Sequence, residues 1–331
     1  MTTRPSNFSP RRLAYLAIAA TLLSVTLPAA AQTAVWPTKP VRLVNSFPPG
    51  GPSDILAREL AYALQELTKQ TVIVENKPGA AGNVAADLVA KSAGDGNTIL
   101  VGIDTTFTIN PHIYKPMPFA AADLKPLVII SSNGLLLGAT PALGPKQLPD
   151  FIKLSQSKNL NFSSGGNGSP GHLAVEIFAD AAQGSKVTHV PYRGNSPAVN
   201  ALLAGEVDAG ILSVSGMLPH VRVGKIVPLA MTSRVRSKAL PEIPTVGELG
   251  FKNLESEVLT IAMVPGSTPP PLLQALQKTV LEALARPQVR ARIQALDMDY
   301  EGLTGAAATQ RLQVLHDRYG PIVRATGMKI D

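Results

Sequence analysis

The chain has 331 residues, with 30 basic and 23 acidic residues and a formal net charge of +7. The basic residues are scattered rather than clustered with aromatic residues, which argues against a nucleic-acid-binding protein, because such proteins concentrate positive charge on one face. Cysteine is absent, which excludes disulfides, thiol catalysis and cysteine-ligated metals.

Residues 1–31 are predicted to be a secretory signal peptide. Arg11 and Arg12 precede an apolar run from Leu13 to Leu27, and small residues lead to an expected cleavage site before Gln32. The run of about 15 residues is shorter than the roughly 20 that cross a bilayer, so a retained membrane anchor is the less favoured alternative. The mature chain would have 300 residues, with 27 basic and 23 acidic ones, and would be located in the periplasm.

Strands and helices alternate through the first part of the mature chain. Residues 41–44, 71–75 and 98–103 read as strands, while residues 56–67 and 84–90 have helical spacing of apolar residues. This alternation predicts an α/β fold with a mainly parallel sheet and helices on both faces.

A second series of the same kind begins near residue 135. Its predicted helices and strands are, in chain order, 149–155, 160–163, 172–182, 186–190, 198–204, 209–214 and 227–231. The closing strand at 261–264 and the helices at 270–285 and 306–319 have no sheet of their own, so we expect them to return to the first series. The sequence therefore predicts two lobes, 32–134 with 256–331 and 135–255, joined by two crossovers near 130–138 and 252–260.

Three loops share one design: FPPGGPSD (47–54), SGGNGSPG (164–171) and YRGNSP (192–197). Each follows a strand and places Ser beside Pro at the start of a helix. Gly lets the backbone come close to a ligand, Ser caps the helix and Pro presets its first turn. The free N–H groups and the positive end of the helix dipole suit a carboxylate. The alternative is that these sequences only begin helices well.

The second loop also contains a possible nucleotide fingerprint. Gly166, Gly168 and Gly171 spell GxGxxG between a strand and a helix. Pro170 stands in the turn, however, and the next strand ends without the acidic residue that would bind a ribose. We therefore predict neither a nucleotide nor any other cofactor.

Catalysis has weaker support than ligand binding. Ser169, His172 and Asp208 could be arranged as a triad, but Ser169 lies in no GxSxG turn, and Ser-x-x-His suits a capped helix equally well. The histidines form no close metal-ligand pair, so no metal site is predicted; they are His112, His172, His189, His220 and His316.

Charged residues near the loops each have two interpretations. Asp54 and Asp104 either fix loop amides, waters or a helix N-terminus, or meet an ammonium group on the ligand. Arg193 is the one cation within the three loops. It either pairs with a carboxylate or is a solvated surface residue.

An ordered series of motifs resembles the extracytoplasmic solute receptors of tripartite tricarboxylate transporters, also called Bug proteins. The resemblance spans nearly all the mature chain. The matching blocks are WPTKPVRLV (36–44), FPPGGPSDILAR (47–58), VENKPGAAGNVAAD (74–87), INPHIYKPMPF (109–119), FSSGGNGSPGHLAVEIF (162–178), HVPYRGNSPAVNALLAGEVD (189–208), LPHVRVGK (218–225) and LPEIPTVGELG (240–250).

The resemblance implies a bilobed, Venus-flytrap periplasmic binding fold that captures small carboxylated solutes without catalysis. It further implies a monomer that presents its ligand to the membrane permease of such a transporter. A receptor for a sensor kinase and, less favoured, a periplasmic Ser/His enzyme are the alternatives. The positions that match the family's ligand-binding residues are Phe47, Gly50, Gly51, Asp54, Thr105, Thr106, Ser164, Asn167, Gly168, Ser169, His172, Arg193 and Gly194.

The chain departs from the family pattern at two places near the expected cleft. Leu212 and Ser213 stand where many relatives have an Asp-Asn pair, and Leu259 or Thr260 stands where relatives often carry an aromatic residue. The family's frequent disulfide is impossible here, because the chain lacks cysteine. The sequence does not identify the ligand.

Overall fold

The computed structural model describes residues 1–2 and 36–328. The predicted signal sequence beyond Thr2 and its cleavage site before Gln32 lie outside these residues. Residues 36–328 belong to one compact unit. Within the described segments, every helix is too short or too polar to traverse a bilayer.

The described residues form eleven strands and eleven α-helices. The strands are β1 (Val41–Asn45), β2 (Val72–Asn76), β3 (Thr98–Ile103), β4 (Leu124–Asn133), β5 (Leu135–Ala139), β6 (Leu160–Ser164), β7 (Val187–Pro191), β8 (Ala209–Ser213), β9 (Val227–Met231), β10 (Val258–Pro265) and β11 (Asp299–Leu303). The helices are α1 (Pro52–Thr68), α2 (Asn83–Ala90), α3 (Thr105–Thr108), α4 (Asn110–Ile113), α5 (Leu148–Ser157), α6 (Pro170–Ala181), α7 (Asn195–Ala204), α8 (Val214–Arg222), α9 (Pro270–Leu284), α10 (Pro287–Ala295) and α11 (Gly305–Thr326).

The strands form two separate sheets, and we call the part of the chain around each sheet a lobe. The sheet of the first lobe has the order β11-β4-β10-β3-β1-β2, and the sheet of the second lobe has the order β7-β6-β8-β5-β9. This confirms the bilobed α/β fold with helices flanking two sheets. The lobe boundaries predicted from the sequence, at 134/135 and 255/256, stay a prediction.

The first sheet is covered on both faces, as its sequence pattern requires. Successive side chains of a strand point to opposite faces. Leu43 of β1 therefore packs with Leu56 and Leu60 of α1, whereas Val44 packs with Ala86 of α2. Burial on both faces explains why the neighbouring residues Leu43 and Val44 of β1 are both apolar.

The second lobe has an aromatic core between its sheet and two helices. Phe151 of α5, Phe162 of β6 and Phe178 of α6 are fully buried, and their ring centroids lie 5.2–5.9 Å apart in pairs. Tilted and edge-on aromatic pairs at this spacing are favourable. They fix α6 against β6, and the second candidate loop begins directly after that strand.

Both sheets are mixed rather than uniformly parallel. The strands β2, β1 and β3 are parallel, as are β7, β6 and β8. Antiparallel pairs involve the strands next to the crossovers, namely β4, β5 and β10. The reason is directional: a strand that leaves one lobe and a strand that returns to it must run in opposite directions when they are neighbours.

The two crossovers of the predicted hinge lie side by side. The first is Gly134, between β4 and β5. A Cβ at Gly134 would lie 2.5 Å from Ser233 Oγ, so only glycine fits against the returning chain. Thr232 Oγ1 accepts a hydrogen bond from the Leu135 N–H at 2.8 Å and donates to the Ser256 carbonyl at 3.0 Å.

Asp104, at the end of β3, joins the first lobe to the returning strand β10. One carboxyl oxygen accepts the Leu259 N–H at 2.8 Å, and the other accepts the Thr108 hydroxyl at 2.9 Å. Complete burial raises the pKa of Asp104 to about 7, and the negative charge of Glu257 adds to the rise, while the two hydrogen bonds oppose it. Asp104 thus has a structural role behind the cleft.

Asp104→Asn is expected to be neutral near pH 4 and stabilising at pH 8. Between these values the unfolded chain releases the proton that folded Asp104 retains, so the wild type loses stability as pH rises towards 7. A rise in the pKa from 3.8 to about 7 corresponds to roughly 4 kcal/mol. Asparagine keeps both hydrogen bonds, because its amide can donate to the Thr108 hydroxyl.

Urea unfolding of both proteins from pH 4 to pH 8 measures this effect. Asp150→Asn, at an exposed carboxylate of α5, is the control for loss of a carboxylate. An identical pH dependence for Asp104→Asn and the wild type would show that folding leaves the pKa of Asp104 unshifted.

Candidate functional site

Three strand-to-helix loops meet between the lobes. Loop 1 (residues 46–51) joins β1 to α1, loop 2 (residues 165–169) joins β6 to α6, and loop 3 (residues 192–194) joins β7 to α7. All three follow parallel strands, and the carboxyl ends of such strands are where α/β folds bind ligands.

Loop 1 is held rigidly by side-chain amides. The Phe47 carbonyl accepts hydrogen bonds from Asn45 Nδ2 at 2.9 Å and from Asn76 Nδ2 at 3.0 Å. Gly50 has a φ of +83°, which favours glycine, and Gly51 is the N-cap of α1. The free N–H groups at the start of α1 are therefore presented in a fixed direction.

Asp54 fixes loop 1 from behind. Its carboxylate accepts the Gly50 N–H at 3.0 Å and Asn76 Nδ2 at 2.8 Å, and it pairs with the Arg58 guanidinium at 3.0 Å. Burial alone would raise the pKa of Asp54, but the hydrogen bonds from Arg58, Gly50 and Asn76 outweigh it and lower the pKa below its ordinary value. Both carboxylate oxygens are thus engaged within the protein, which favours the loop-fixing interpretation of this residue.

Loop 2 is supported by the ring of His172. The Gly168 N–H donates to His172 Nδ1 at 3.1 Å, while the His172 N–H donates to the Ser169 hydroxyl, the N-cap of α6, at 3.2 Å. Because Nδ1 accepts, the neutral ring carries its proton on Nε2, which lies 3.4 Å from Glu176 Oε1. His172 therefore positions loop 2.

A second imidazole packs beneath the first. The ring of His189 stacks on that of His172 with 3.9 Å between centroids and 7° between planes, and its Nε2 lies 2.6 Å from Ser164 Oγ. Burial, together with the His172 ring, lowers the pKa of His189 to about 3. His189 is therefore neutral at physiological pH and links β7 to the start of loop 2.

Loop 3 is joined to loop 2 through the backbone. The Gly194 N–H donates to the Gly165 carbonyl at 3.1 Å, and Gly194, the N-cap of α7, has a φ of +112°. A Cβ at Gly194 would lie 3.6 Å from Pro48 Cγ of loop 1. Loops from the two lobes therefore face each other at short range.

Two adjoining cavities meet at these loops. The inner cavity extends towards the hinge, and the outer cavity extends towards Tyr114 and residues 78–82. Six residues of the three loops line both cavities: Phe47, Pro48, Gly165, Ser169, Arg193 and Gly194.

The N-termini of three helices line the inner cavity. They contribute Pro52 and Ser53 from α1, Pro170 and Gly171 from α6, and Asn195, Ser196 and Pro197 from α7. Apart from the three prolines, which lack an N–H, these first-turn residues have N–H groups without a partner in their own helix, and the helix dipole places partial positive charge at the same end. Among the described residues that line this cavity none is acidic, and Arg193 is the one with a charged side chain. The cavity is therefore suited to an anion.

The family model described as "Tripartite tricarboxylate transporter family receptor" matches residues 56–328. The chain belongs to this family. It is 32% identical over 97% of its length to BugT of Bordetella pertussis (strain Tohama I), of which it covers 98%.

Solved structures have the same fold as this receptor. One, titled "R. palustris Rpa4515 with adipate", is 29% identical, with a TM-score of 0.83 over 89% of this chain and 100% of the other. Another, MatC from Rhodopseudomonas palustris with bound malate, is 27% identical, with a TM-score of 0.79 over 87% of this chain and 100% of the other.

The receptor is a solute-binding protein of the periplasmic binding class and not an enzyme, because its family and the structures that it resembles are receptors. The geometry of the possible triad agrees. The Ser169 hydroxyl contacts the main-chain N–H of His172 rather than its ring. Asp208 pairs with Lys158 and accepts the Asn161 N–H at the start of β6, at the strand end opposite to loop 2.

The thirteen predicted ligand-binding residues fall into two groups. Those that line a cavity are Phe47, Gly51, Asn167, Ser169, Arg193 and Gly194. The others line neither cavity: Gly50, Asp54, Thr105, Thr106, Ser164, Gly168 and His172. Thr106, for example, is 2% exposed, and its hydroxyl donates to the Ala81 carbonyl at 3.3 Å. Direct contact of any of the thirteen with a ligand stays a prediction.

Several lining residues were not predicted from the sequence. Ser53 and Ser196 follow N-cap residues, so the rules for helix starts could have found them. The hinge-side lining could not be found in this way, because its members come from four distant strands and one loop: Ile103, Asn133, Leu135, Val258, Thr260 and Met298.

Asp54→Asn is expected to loosen loop 1 and to destabilise the protein by about 1–3 kcal/mol at neutral pH, because charge-assisted hydrogen bonds are lost. The pKa of Asp54 is lowered on folding, so its contribution to stability disappears as pH falls, and the difference from wild type should shrink in acid.

Chemical unfolding measures the loss of stability, and amide exchange at Gly50 measures how far loop 1 has loosened. Asp87→Asn is the matched control, because Asp87 and Lys91 of α2 form a similar i,i+4 pair away from loop 1. Full protection of the Gly50 amide in Asp54→Asn would show that the carboxylate does not fix the loop.

Proposed function

We propose that this receptor captures a small carboxylated solute between its lobes in the periplasm and presents it to the permease of a tripartite tricarboxylate-type transporter. One observation carries the proposal: helix N-termini from both lobes converge on one cavity whose described lining contains no acidic residue. Such a site supplies several N–H donors to one anion.

The donor chemistry fits a carboxylate better than a neutral solute. The starts of α1 and α7 add hydroxyls to their free N–H groups, through Ser53 and Ser196, whereas the Ser169 hydroxyl caps α6. Arg193 can add a charge-assisted hydrogen bond. Adipate and malate, which accompany the two related structures, are both carboxylates.

Closure of the cleft would give reversible capture. A Cβ on Gly168 of loop 2 would lie 2.8 Å from Ala81 Cβ and 3.2 Å from Asn110 Oδ1 of the first lobe. Loop 2 thus approaches the first lobe where only glycine fits. A ligand held by loops of both lobes stabilises the closed form over the open one, since only the closed form makes both sets of contacts.

Gly168→Leu is expected to abolish ligand binding while the protein stays folded, because the side chain would hold the lobes apart. Gly184→Leu is the matched control. Gly184 has a φ of +83°, against +76° for Gly168, but a Cβ there would have no neighbour within 4 Å. The control therefore introduces similar backbone strain without obstructing closure. Unchanged affinity of Gly168→Leu in calorimetry would contradict the role of this contact.

A thermal-shift screen of the purified mature chain tests the ligand class. We expect carboxylates among di- and tricarboxylates, aromatic acids, amino acids and nicotinate-like compounds to raise the Tm, because a ligand that binds only the native state stabilises it. A Tm that rises with neutral sugars and with none of the acids would overturn the proposed function.

The transport role has its own test. Cells lacking the receptor should lose uptake of the radiolabelled acid found in the screen and should recover it with the wild-type gene but not with Gly168→Leu. Normal uptake together with loss of a transcriptional response to the acid would favour a receptor for a sensor kinase instead.

A further inference from the structure

The hinge end of the inner cavity differs in chemistry from the end formed by the helix N-termini. Its lining includes the apolar side chains of Ile103, Leu135, Ile211, Leu212, Val258 and Met298. The polar residues beside them are Asn133, Ser213 and Thr260, and all three are neutral. The single charged side chain of the lining, Arg193, belongs to loop 3 at the other end.

We propose that the ligand has one carboxylate and an apolar alkyl or aryl body, with the carboxylate at the helix N-termini and the body at the hinge end. This inference rests on the proposed function and specifies the ligand of the same site.

Leu212 is central to this specificity. It is the penultimate residue of β8 and 2% exposed, and Ile211 next to it is also 2% exposed. Neighbouring residues of a strand normally face opposite sides of a sheet. Ile211 and Leu212 accordingly belong to hydrophobic cores on opposite faces of the sheet, and the carboxyl end of β8 that carries them forms one wall of the cavity. The described residues of this wall present no charged side chain to the ligand.

The first lobe completes the apolar end. Val258 of β10 and Ile103 of β3 both line the cavity. Among the described residues no cation accompanies them at this end, so a second carboxylate on the ligand would lose its hydration there without gaining a charged partner. Burial of an unpaired charge is strongly unfavourable.

Matched pairs of acids test this inference by isothermal calorimetry on the mature chain. Hexanoate and adipate differ by one terminal carboxylate, and so do benzoate and terephthalate. We expect the monocarboxylate of a pair to bind at least about tenfold more tightly than its dicarboxylate, because the second charge would lie in an apolar, desolvated environment.

Variants at position 212 test whether the hinge end of the cavity causes the preference for monocarboxylates. Leu212→Asn should weaken hexanoate binding about tenfold, because it removes apolar contact and adds a polar group. The ratio of the affinities for hexanoate and adipate should therefore become smaller. Leu212→Met, which conserves volume and polarity, should bind as the wild type does. Circular dichroism and Tm show whether each variant is folded.

The outcomes separate this inference from the proposed function. Tighter binding of adipate than hexanoate, or of terephthalate than benzoate, would overturn the apolar-body inference and leave carboxylate capture intact. Equal affinities within each pair would also overturn the apolar-body inference. So would a ratio of hexanoate to adipate affinity that is the same in Leu212→Asn and in the wild type. If none of the four acids nor any acid of the thermal-shift screen binds, both the inference and the proposed function are wrong.

Discussion

Parallel strands in both lobes end at the same cleft, and the site depends on this arrangement. A helix that follows a parallel strand starts at the strand's carboxyl end, so its N–H groups and positive dipole end lie there. Two sheets that face each other by these edges therefore bring helix N-termini together. The antiparallel strands β4, β5 and β10 make the arrangement possible, because they carry the chain between the lobes.

The two acidic residues near the site, Asp54 and Asp104, form hydrogen bonds within the protein and do not line the cavity. Asp54 fixes loop 1 through the Gly50 N–H, and Asp104 joins β3 to β10. Both carboxyl groups are hydrogen-bonded within the protein: Asp54 is ionised beside Arg58, whereas burial raises the pKa of Asp104 to about 7. The polar groups that face the inner cavity are therefore backbone N–H groups, hydroxyls and a single arginine. They can bind an anion without a strong ion pair. Such a site suits a receptor that must also release its ligand.

Local patterns were sufficient to predict the strand-loop-helix units and the loops between them. Glycine, serine and proline signals correctly identified the helix starts at 52, 170 and 195 within a few residues. The strands β4, β5 and β11 and the helices α3, α4, α8 and α10 were not predicted. α8 contains Pro219, which is unfavourable inside a helix. The buried residues of α10 within the helix are only Val289 and Ile293, so α10 lacks a strong apolar periodicity. The mixed pairing depends on which strands become neighbours across more than a hundred residues, and no local pattern encodes that.

The hydroxyl of Thr232 has a mechanical consequence for motion between the lobes. It bonds the outgoing chain at Leu135 and the returning chain at Ser256 at the same time. Neither crossover can slide past the other without breaking one of these bonds, so the pair behaves as one stiff joint. Rotation about a line through this joint leaves both bonds intact, whereas shear would break them. These two bonds therefore favour a hinge rotation of the lobes over a sliding motion.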